Sequence, residues 1–291
     1  MQAPAFIDGV HAIADRYAGF VLDQWGVLHD GTAPYPGVLA ALAELQRRNR
    51  RLVLLSNSGR RAAHSRRHLA RLGFNPAMFA AIVTSGETAH TLLLHRRVPG
   101  LAAIGERCLL ITRDGDREVI EGTGIVLVER IEEADFLFLA GVDSPAVGLD
   151  ALRPVLEGAA ARGLPCLCSN PDLVAPTRDG LILAPGGIAA AYAAMGGRVV
   201  HVGKPHAPIY GPVRDALDGL EPTEIVAVGD SLAHDIKGAK DAGFAAAFVT
   251  GGLHAEDFPA DGSRAAAVGR LEALAAEHGG RPDWVMARFV W

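Results

Sequence analysis

The sequence contains few cysteines and no long apolar run. Three cysteines occur among the 291 residues, and Cys166-Leu-Cys168 lacks the two-residue spacing of a redox or zinc motif, so a disulfide framework is excluded. No apolar stretch approaches the roughly 20 residues that cross a membrane. The N-terminus shows no basic segment followed by an apolar run, which a secretory signal requires. We therefore expect a cytoplasmic protein without a membrane partner.

Basic residues are not in excess either. The chain has 28 lysines and arginines against 33 acidic residues, a net charge of −5, so its electrostatics do not favour nucleic acid as a partner. Hydrophobic residues make up 49% and charged residues 21%, which is ordinary for a globular protein and excludes a disordered one. At about 150 residues per domain, the length indicates roughly two domains.

Short apolar runs alternate with amphipathic stretches along the chain. The predicted strands cover residues 20–22, 51–55, 81–83, 108–111, 136–139, 165–168, 201–202, 225–228 and 246–249. The predicted helices cover residues 38–48, 60–72, 149–162, 207–217 and 235–242, and another begins near residue 87. This alternation indicates parallel sheets with right-handed crossovers. We predict an α/β protein with a doubly wound parallel-sheet core, residues 1–85 and 188–291, and an inserted α/β domain, residues 86–187.

Polar side chains follow several of the predicted strands. Asp23 and Ser56 come after the first and second strands of the chain. Lys204 and Asp230 come after two late strands, and Asp235 begins the next predicted helix. Because ligands of open parallel sheets bind beyond the carboxyl ends of the strands, we expect these five side chains to lie at one sheet edge.

This combination of side chains suits phosphoryl transfer. A carboxylate can act as nucleophile and form an aspartyl-phosphate. Hard oxygen ligands hold Mg²⁺, which offsets the charge of a phosphate and orients it. A hydroxyl group with backbone N–H groups binds phosphate oxygens, and a lysine adds positive charge in the transition state.

Four longer segments resemble one family of phosphotransferases. They are Asp23-Gln-Trp-Gly-Val-Leu-His-Asp-Gly31, Ser169-Asn-Pro-Asp172, Val202-Gly-Lys-Pro-His206 and Val228-Gly-Asp-Ser-Leu-Ala-His-Asp-Ile-Lys-Gly-Ala239. On these segments the chain resembles class IIA of the haloacid dehalogenase (HAD) superfamily, the NagD-like group that includes p-nitrophenyl, sugar, nucleotide and phosphoglycolate phosphatases. Class IIA carries an α/β cap between its second and third motifs, which is where residues 86–187 lie.

The resemblance implies an Mg²⁺-dependent phosphatase. Asp23 would be both nucleophile and metal ligand, and would carry the phosphoryl group as an aspartyl-phosphate. Asp230, Asp235 and the backbone carbonyl of Trp25 would complete the Mg²⁺ site. The implied substrate is a small phosphorylated metabolite: a sugar phosphate, a nucleotide, an aryl phosphate or an acyl phosphate. Since caps of this class often mediate dimers, a homodimer through the cap is compatible with the resemblance.

The resemblance also assigns contacts to phosphate and substrate. Ser56, with Asn57 behind it, would bind the transferred phosphoryl group, and Lys204 would pair with the nucleophile and the phosphate. Asn170 and Asp172 lie in the cap, where this class recognises its substrate, so their side chains could face the pocket. A plain turn between cap and core is the alternative for this segment.

One position departs from the family pattern. Most phosphatases of this family have a second Asp two residues after the nucleophile, which protonates the leaving oxygen and then activates water; here that residue is Trp25. General acid–base catalysis contributes about 10²–10⁴-fold. Either another group substitutes, with His29 beside Asp30 as the nearest candidate, or the leaving group needs no proton, as with an acyl phosphate or an acidic phenol. A flap residue without a chemical role is the alternative for His29.

Two other functions stay open. A regulatory or ligand-binding protein could keep the phosphate site and turn substrate over poorly, because Trp25 replaces the acid. A haloacid dehalogenase-type carbon hydrolase also has an aromatic residue at this position. Dehalogenases need no metal, however, so Asp230 and Asp235 would have no purpose in one. The interval between Asp23 and Ser56 is also too short to hold the dehalogenase cap.

Overall fold

The structure is a computed structural model that describes residues 4–101, 103–177, 180–258 and 263–291. The strands are β1 (Ala5–Phe6), β2 (Gly19–Leu22), β3 (Arg51–Ser56), β4 (Ala81–Thr84), β5 (Arg107–Ile111), β6 (Val126–Leu127), β7 (Phe136–Leu139), β8 (Pro165–Cys168), β9 (Val174–Thr177), β10 (Gly180–Leu183), β11 (Arg198–His201), β12 (Ile225–Gly229), β13 (Ala245–Val249) and β14 (Trp284–Met286). The α-helices are α1 (Val38–Arg47), α2 (Ala62–Arg71), α3 (Ser85–Leu94), α4 (Leu149–Ala161), α5 (Pro185–Ala194), α6 (Tyr210–Ala216), α7 (Lys237–Asp241) and α8 (Arg264–His278). Within these ranges no helix is both long and apolar enough to cross a membrane.

The first of two compact units contains Met1–Ser56, Arg66–Val83 and Tyr210–Trp291. Its seven-stranded sheet has the order β1-β14-β13-β12-β2-β3-β4, and the strands from β1 to β3 in this order pair in parallel. From β2 the chain continues to β3 and β4 on one side, and from β12 it continues to β13 and β14 on the other. The strand order therefore reverses between β2 and β12, and such a switch point is where open α/β sheets bind ligands.

The two strands at the switch point are buried along their whole length. Every residue of β2, Gly-Phe-Val-Leu, and of β12, Ile-Val-Ala-Val-Gly, is buried. Parallel strands that are covered on both faces carry such continuous apolar runs. Leu22 lies beside Val228, so the two strands end at nearly the same level and deliver the residues that follow them to one edge.

The second unit contains Asn57–Ser65 and Thr84–Ile209. Its five-stranded sheet has the order β11-β8-β7-β5-β6 and is parallel. Side chains alternate along β7 as a strand requires: Phe136 and Phe138 pack in one core cluster with α3, while Leu137 and Leu139 pack in another with α4 and α5. Strands β9 and β10 form a separate antiparallel hairpin.

The predicted α/β class and doubly wound sheet are confirmed, but the bounds of the two units differ from the predicted domains. Strand β11 pairs with β8, with Val199 beside Cys166, so residues 188–209 group with the second unit and not with the core. Residues 57–65 also group with the second unit. The partner of a strand depends on packing and register, which the local apolar pattern does not encode.

Two predicted helices begin differently in the structure. The stretch predicted as a helix at 207–217 starts with a 3₁₀ turn, Ala207–Ile209, ahead of α6. The helix predicted at 235–242 begins in a π-helical turn, Leu232–Ile236, and continues as α7; the N-cap Ser231 accepts a hydrogen bond from the His234 N–H. Turns of this type occur frequently at functional sites, and this one carries Asp235.

Candidate active site

Three carboxylates converge where β2 and β12 end. Asp23 follows β2, Asp230 follows β12, and Asp235 lies in the π-helical turn. Each of the three offers an oxygen atom within 4.8 Å of those of the others. The Asp23 N–H donates to the Val228 carbonyl at 3.0 Å, which continues the parallel pairing one residue beyond β2. We refer to Asp23, Asp230 and Asp235 as the acidic cluster.

Backbone groups hold two of these carboxylates in place. The Leu253 N–H donates to Asp230 Oδ2 at 2.8 Å, and the Ser231 N–H donates to Asp235 Oδ2 at 3.1 Å. Gly26 has a φ of +76°, and a β-carbon at this position would overlap the Asp230 carboxylate. Only glycine combines this conformation with so close an approach. The loop after β2 therefore packs its backbone directly against the acidic cluster.

The acidic cluster suits a hard divalent cation. Three like charges within 4.8 Å repel one another, and burial of Asp230 and Asp235 strengthens that repulsion because the surrounding dielectric is lower than that of water. Carboxylate oxygens are the ligands that Mg²⁺ and Ca²⁺ prefer. A cation among these residues would replace repulsion by attraction, so the donor set fits a metal of this class.

Ser56 lies at the same edge of the sheet as the acidic cluster. It is the last residue of β3, and β3 pairs with β2 so that Leu54 lies beside Leu22. Ser56 is therefore one residue beyond the level of Asp23. The first unit thus brings four predicted site residues, Asp23, Ser56, Asp230 and Asp235, to one edge.

Asn57 and Lys204 form a buried hydrogen-bonded pair in the second unit. The Lys204 N–H donates to Asn57 Oδ1 at 2.7 Å, and Asn57 Nδ2 donates to the Lys204 carbonyl at 3.2 Å. Asn57 is 7% and Lys204 4% exposed. The Ser85 hydroxyl donates to the same Asn57 oxygen at 3.4 Å. The Asn57 side chain therefore fixes the main chain at Lys204.

Asp172 extends this network from the segment that could, by the resemblance, face the substrate or form a plain turn. Asn57 Nδ2 donates to Asp172 Oδ1 at 2.8 Å. The Asp172 N–H donates to Asn170 Oδ1 at 3.0 Å, which closes an Asx turn. The side chains of Asn170 and Asp172 thus make contacts inside the second unit, and Asp172 supports the amide of Asn57.

His29 is completely buried in the loop that follows β2. Its Nδ1 accepts a hydrogen bond from the Gly31 N–H at 3.0 Å, so the neutral ring carries its proton on Nε2. Nε2 has no hydrogen-bond partner among the described residues. The rings of Trp25, His68 and Phe74 surround it at centroid distances of 6.1, 5.6 and 6.1 Å.

This environment disfavours a charged imidazole. Burial, with a smaller contribution from the neighbouring His68, lowers the pKa of His29 from 6.5 to about 4. Asp30, whose side chain accepts hydrogen bonds from Thr32 and Ala33 in a turn, has its pKa lowered to about 2 by these bonds, that of the Thr32 side chain first. At neutral pH His29 therefore lacks the second proton that an acid catalyst would donate, and Asp30 is ionised.

Two supporting residues were missed by sequence reasoning. Leu253 follows β13, the neighbour of β12, and its N–H holds Asp230. Its position in the loop at the carboxyl end of a central strand is a signal that could have identified it. Ser85 reaches Asn57 across 28 residues of sequence, and no sequence signal indicates that contact.

Comparisons with known proteins find similar hydrolases. Residues 20–126 match a family model described as haloacid dehalogenase-like hydrolase, and residues 201–285 match a second model described as HAD-hydrolase-like. A D-glycerol 3-phosphate phosphatase of Mycobacterium tuberculosis is 27% identical over 84% of this chain. The match spans 65% of the length of that relative.

Two solved structures resemble the whole chain. A haloacid dehalogenase-like hydrolase from Brucella suis is 26% identical, covers 98% of this chain and 100% of its own, and superposes with a TM-score of 0.81. A 4-nitrophenylphosphatase from Thermotoga maritima is 26% identical, covers 94% of this chain and 95% of its own, and has a TM-score of 0.70.

The contact between Asp172 and Asn57 can be tested by a double-mutant cycle. We expect Asp172→Ala and Asn57→Ala each to lower the free energy of unfolding in urea by about 1–3 kcal/mol, because each removes the hydrogen bond between Asn57 Nδ2 and the Asp172 carboxylate, and a hydrogen bond to a charged group contributes about this much. The two losses should not add: residues that share a hydrogen bond show coupling energies of about 0.5–3 kcal/mol.

Leu173→Ala is the matched control for this cycle. Leu173 is adjacent in sequence and 58% exposed, so its truncation should change stability by no more than about 0.5 kcal/mol. Additive losses in the Asp172 and Asn57 variants would show that the two side chains do not support each other.

Proposed function

Because the chain belongs to the haloacid dehalogenase superfamily of hydrolases, we propose that it is an Mg²⁺-dependent phosphatase that forms an aspartyl-phosphate at Asp23. The observation that carries this proposal is the convergence of Asp23 with Asp230 and Asp235 at the switch point of the sheet. A nucleophilic carboxylate and two further oxygen ligands are the parts that this reaction needs.

Each residue of the acidic cluster has a separate role in this proposal. The Asp23 carboxylate attacks phosphorus and displaces the alcohol oxygen, and water later cleaves the acyl phosphate and frees Asp23. Asp230, Asp235, the backbone carbonyl of Trp25 and the Asp23 carboxylate would hold the metal. Bound Mg²⁺ would offset the charge of the phosphate and orient it.

Ser56 and Lys204 are the proposed phosphate ligands. The Ser56 hydroxyl, at the edge that carries Asp23, donates a hydrogen bond to a phosphoryl oxygen. The Lys204 ammonium group supplies positive charge to the transition state. Asn57 acts indirectly, because its amide holds the main chain of Lys204.

Trp25 restricts the substrates that such a site can hydrolyse quickly. The indole cannot protonate a leaving oxygen, and the burial of His29 argues against its acting as a substitute acid. The leaving group must then depart as an anion, which favours aryl and acyl phosphates over alkyl phosphates. The relatives are named for both kinds of ester, a 4-nitrophenyl phosphate and a glycerol phosphate.

The main alternative is a protein that binds a phosphorylated ligand and turns it over poorly. The indole of Trp25, in place of the usual acid, favours this alternative. The acidic cluster disfavours it, because all three carboxylates are present. Carbon–halogen hydrolysis is disfavoured by the same cluster, since two carboxylates beside the nucleophile have no role in a metal-free reaction.

Removal of the metal tests the proposed function. We expect Mg²⁺ to raise the melting temperature, since Mg²⁺ at 100 times its Kd adds about 2.7 kcal/mol to the free energy of unfolding. Release of phosphate from an aryl phosphate should require Mg²⁺ and stop in excess chelator. Asp230→Asn should remove both effects, since it weakens the metal site.

Two results distinguish the alternatives. Metal binding that raises the melting temperature, without measurable phosphate release from any ester, would favour the regulatory protein. Undiminished activity in chelator would contradict the metal-dependent mechanism.

The absence of an acid at Trp25 predicts a steep dependence of rate on the leaving group. Across a series of aryl and alkyl phosphates, log(kcat/KM) should fall sharply as the pKa of the leaving alcohol rises, because no side chain protonates it. Trp25→Asp should raise kcat/KM for alkyl phosphates by about 10²-fold, the lower end of general acid catalysis, and change aryl phosphates less.

Trp25→Asn is the matched control, because it has the shape of Asp without the proton, and it should leave the slope steep. Trp25 is 49% exposed, so these variants should lose less stability than the about 3–5 kcal/mol of a buried tryptophan. A shallow slope in the wild-type enzyme would show that another group acts as the acid, and His29→Gln would then identify or exclude His29.

A further inference from the structure

The indole of Trp25 is an exposed aromatic surface on the loop that follows β2 and Asp23. Among the described residues with large, exposed hydrophobic side chains, Trp25 is the one aromatic residue, and 49% of it is accessible. A tryptophan normally buries most of its ring, because that ring is the largest apolar side chain. An indole left half open on a loop therefore offers an aromatic face on which a ligand can stack.

The backbone that carries the indole lies against the acidic cluster. Trp25 is two residues from Asp23, and the next residue, Gly26, lies so close to Asp230 that a β-carbon would overlap the carboxylate. The Gly26 N–H donates to the His29 carbonyl at 3.2 Å, and Trp25 and His29 form an isolated bridge. The base of the indole is thus tied to the edge that carries the nucleophile.

The indole ring also packs against two residues of its own loop, Gly31 and His29. A β-carbon on Gly31, which has a φ of +89°, would overlap the six-membered ring of the indole, so the ring lies against the Gly31 backbone. The His29 ring meets it edge-on, at 6.1 Å between centroids and 69° between planes. A ring held in this way loses little conformational entropy when a ligand stacks on it.

From these contacts we propose that Trp25 is a stacking surface for the ring of an aromatic leaving group. The inference rests on the proposed phosphatase function and narrows its substrate. An aromatic alcohol is acidic enough to leave without a proton, and its flat ring can stack on an indole. Both properties of Trp25, the missing acid and the aromatic face, select the same ligand.

Two phosphonates that cannot be hydrolysed test the stacking surface directly. Benzylphosphonate and cyclohexylmethylphosphonate carry the same charged group and the same number of carbons, and differ in whether the ring is aromatic. By calorimetry in the presence of Mg²⁺, we expect wild-type protein to bind benzylphosphonate more tightly by about 2- to 12-fold, the range of aromatic pairs. Inorganic phosphate, titrated separately, reports on the phosphate site alone.

Three variants identify the ring that is responsible. Trp25→Leu should bind the two phosphonates equally, because it keeps an apolar side chain without a π-face. Trp25→Phe should keep most of the preference. Trp284→Phe is the control for loss of an indole elsewhere; Trp284 Nε1 donates to the Tyr17 hydroxyl, and its replacement should leave the preference unchanged.

The outcomes separate this inference from the function on which it rests. Equal affinities of the two phosphonates for wild-type protein, or a preference that survives in Trp25→Leu, would overturn the stacking surface, even if inorganic phosphate binds and aryl phosphates are hydrolysed. If neither phosphate nor either phosphonate binds in the presence of Mg²⁺, the proposed function fails and the stacking surface fails with it.

Discussion

The repulsion among three carboxylates at the end of two adjacent strands is the constraint on which the site depends. The reversal of strand order between β2 and β12 brings Asp23 beside Asp230, and the π-helical turn adds Asp235. Such crowding is tolerated because backbone N–H groups of Leu253 and Ser231 hold the carboxylates. A cation bound among the three carboxylates would relieve this repulsion.

The loop after β2 shows how the same constraint shapes the chemistry. The Gly26 backbone lies so close to Asp230 that no side chain fits between them, and the loop turns sharply just after Trp25. The His29 ring then packs among the rings of Trp25, His68 and Phe74. Burial keeps that imidazole neutral, and the indole remains half exposed. In the proposed mechanism the leaving group therefore departs as an anion, and Trp25 offers an aromatic surface in place of an acid.

Much of the fold and of the acidic cluster could be predicted from the sequence, because the signals are local. Buried parallel strands such as β2 and β12 are continuous apolar runs, and the polar residue after each marks the binding edge. The pairing of β11 with β8 could not be predicted, since register depends on packing. The contact of Asn57 with Asp172 could not be predicted either, because it joins residues 115 positions apart. The burial of His29 could not be predicted because it depends on His68 and Phe74, which come from another segment.

The most direct test of the central claim is to trap the phosphoryl group on the protein. The enzyme would be mixed with a rapidly hydrolysed aryl phosphate and Mg²⁺, quenched in acid within the first turnover, and mapped by peptide mass spectrometry. The account predicts a phosphoryl adduct on Asp23 alone, lost on treatment with hydroxylamine as an acyl phosphate should be, and no adduct in Asp23→Asn. An adduct on another residue, or normal turnover by Asp23→Asn, would contradict it.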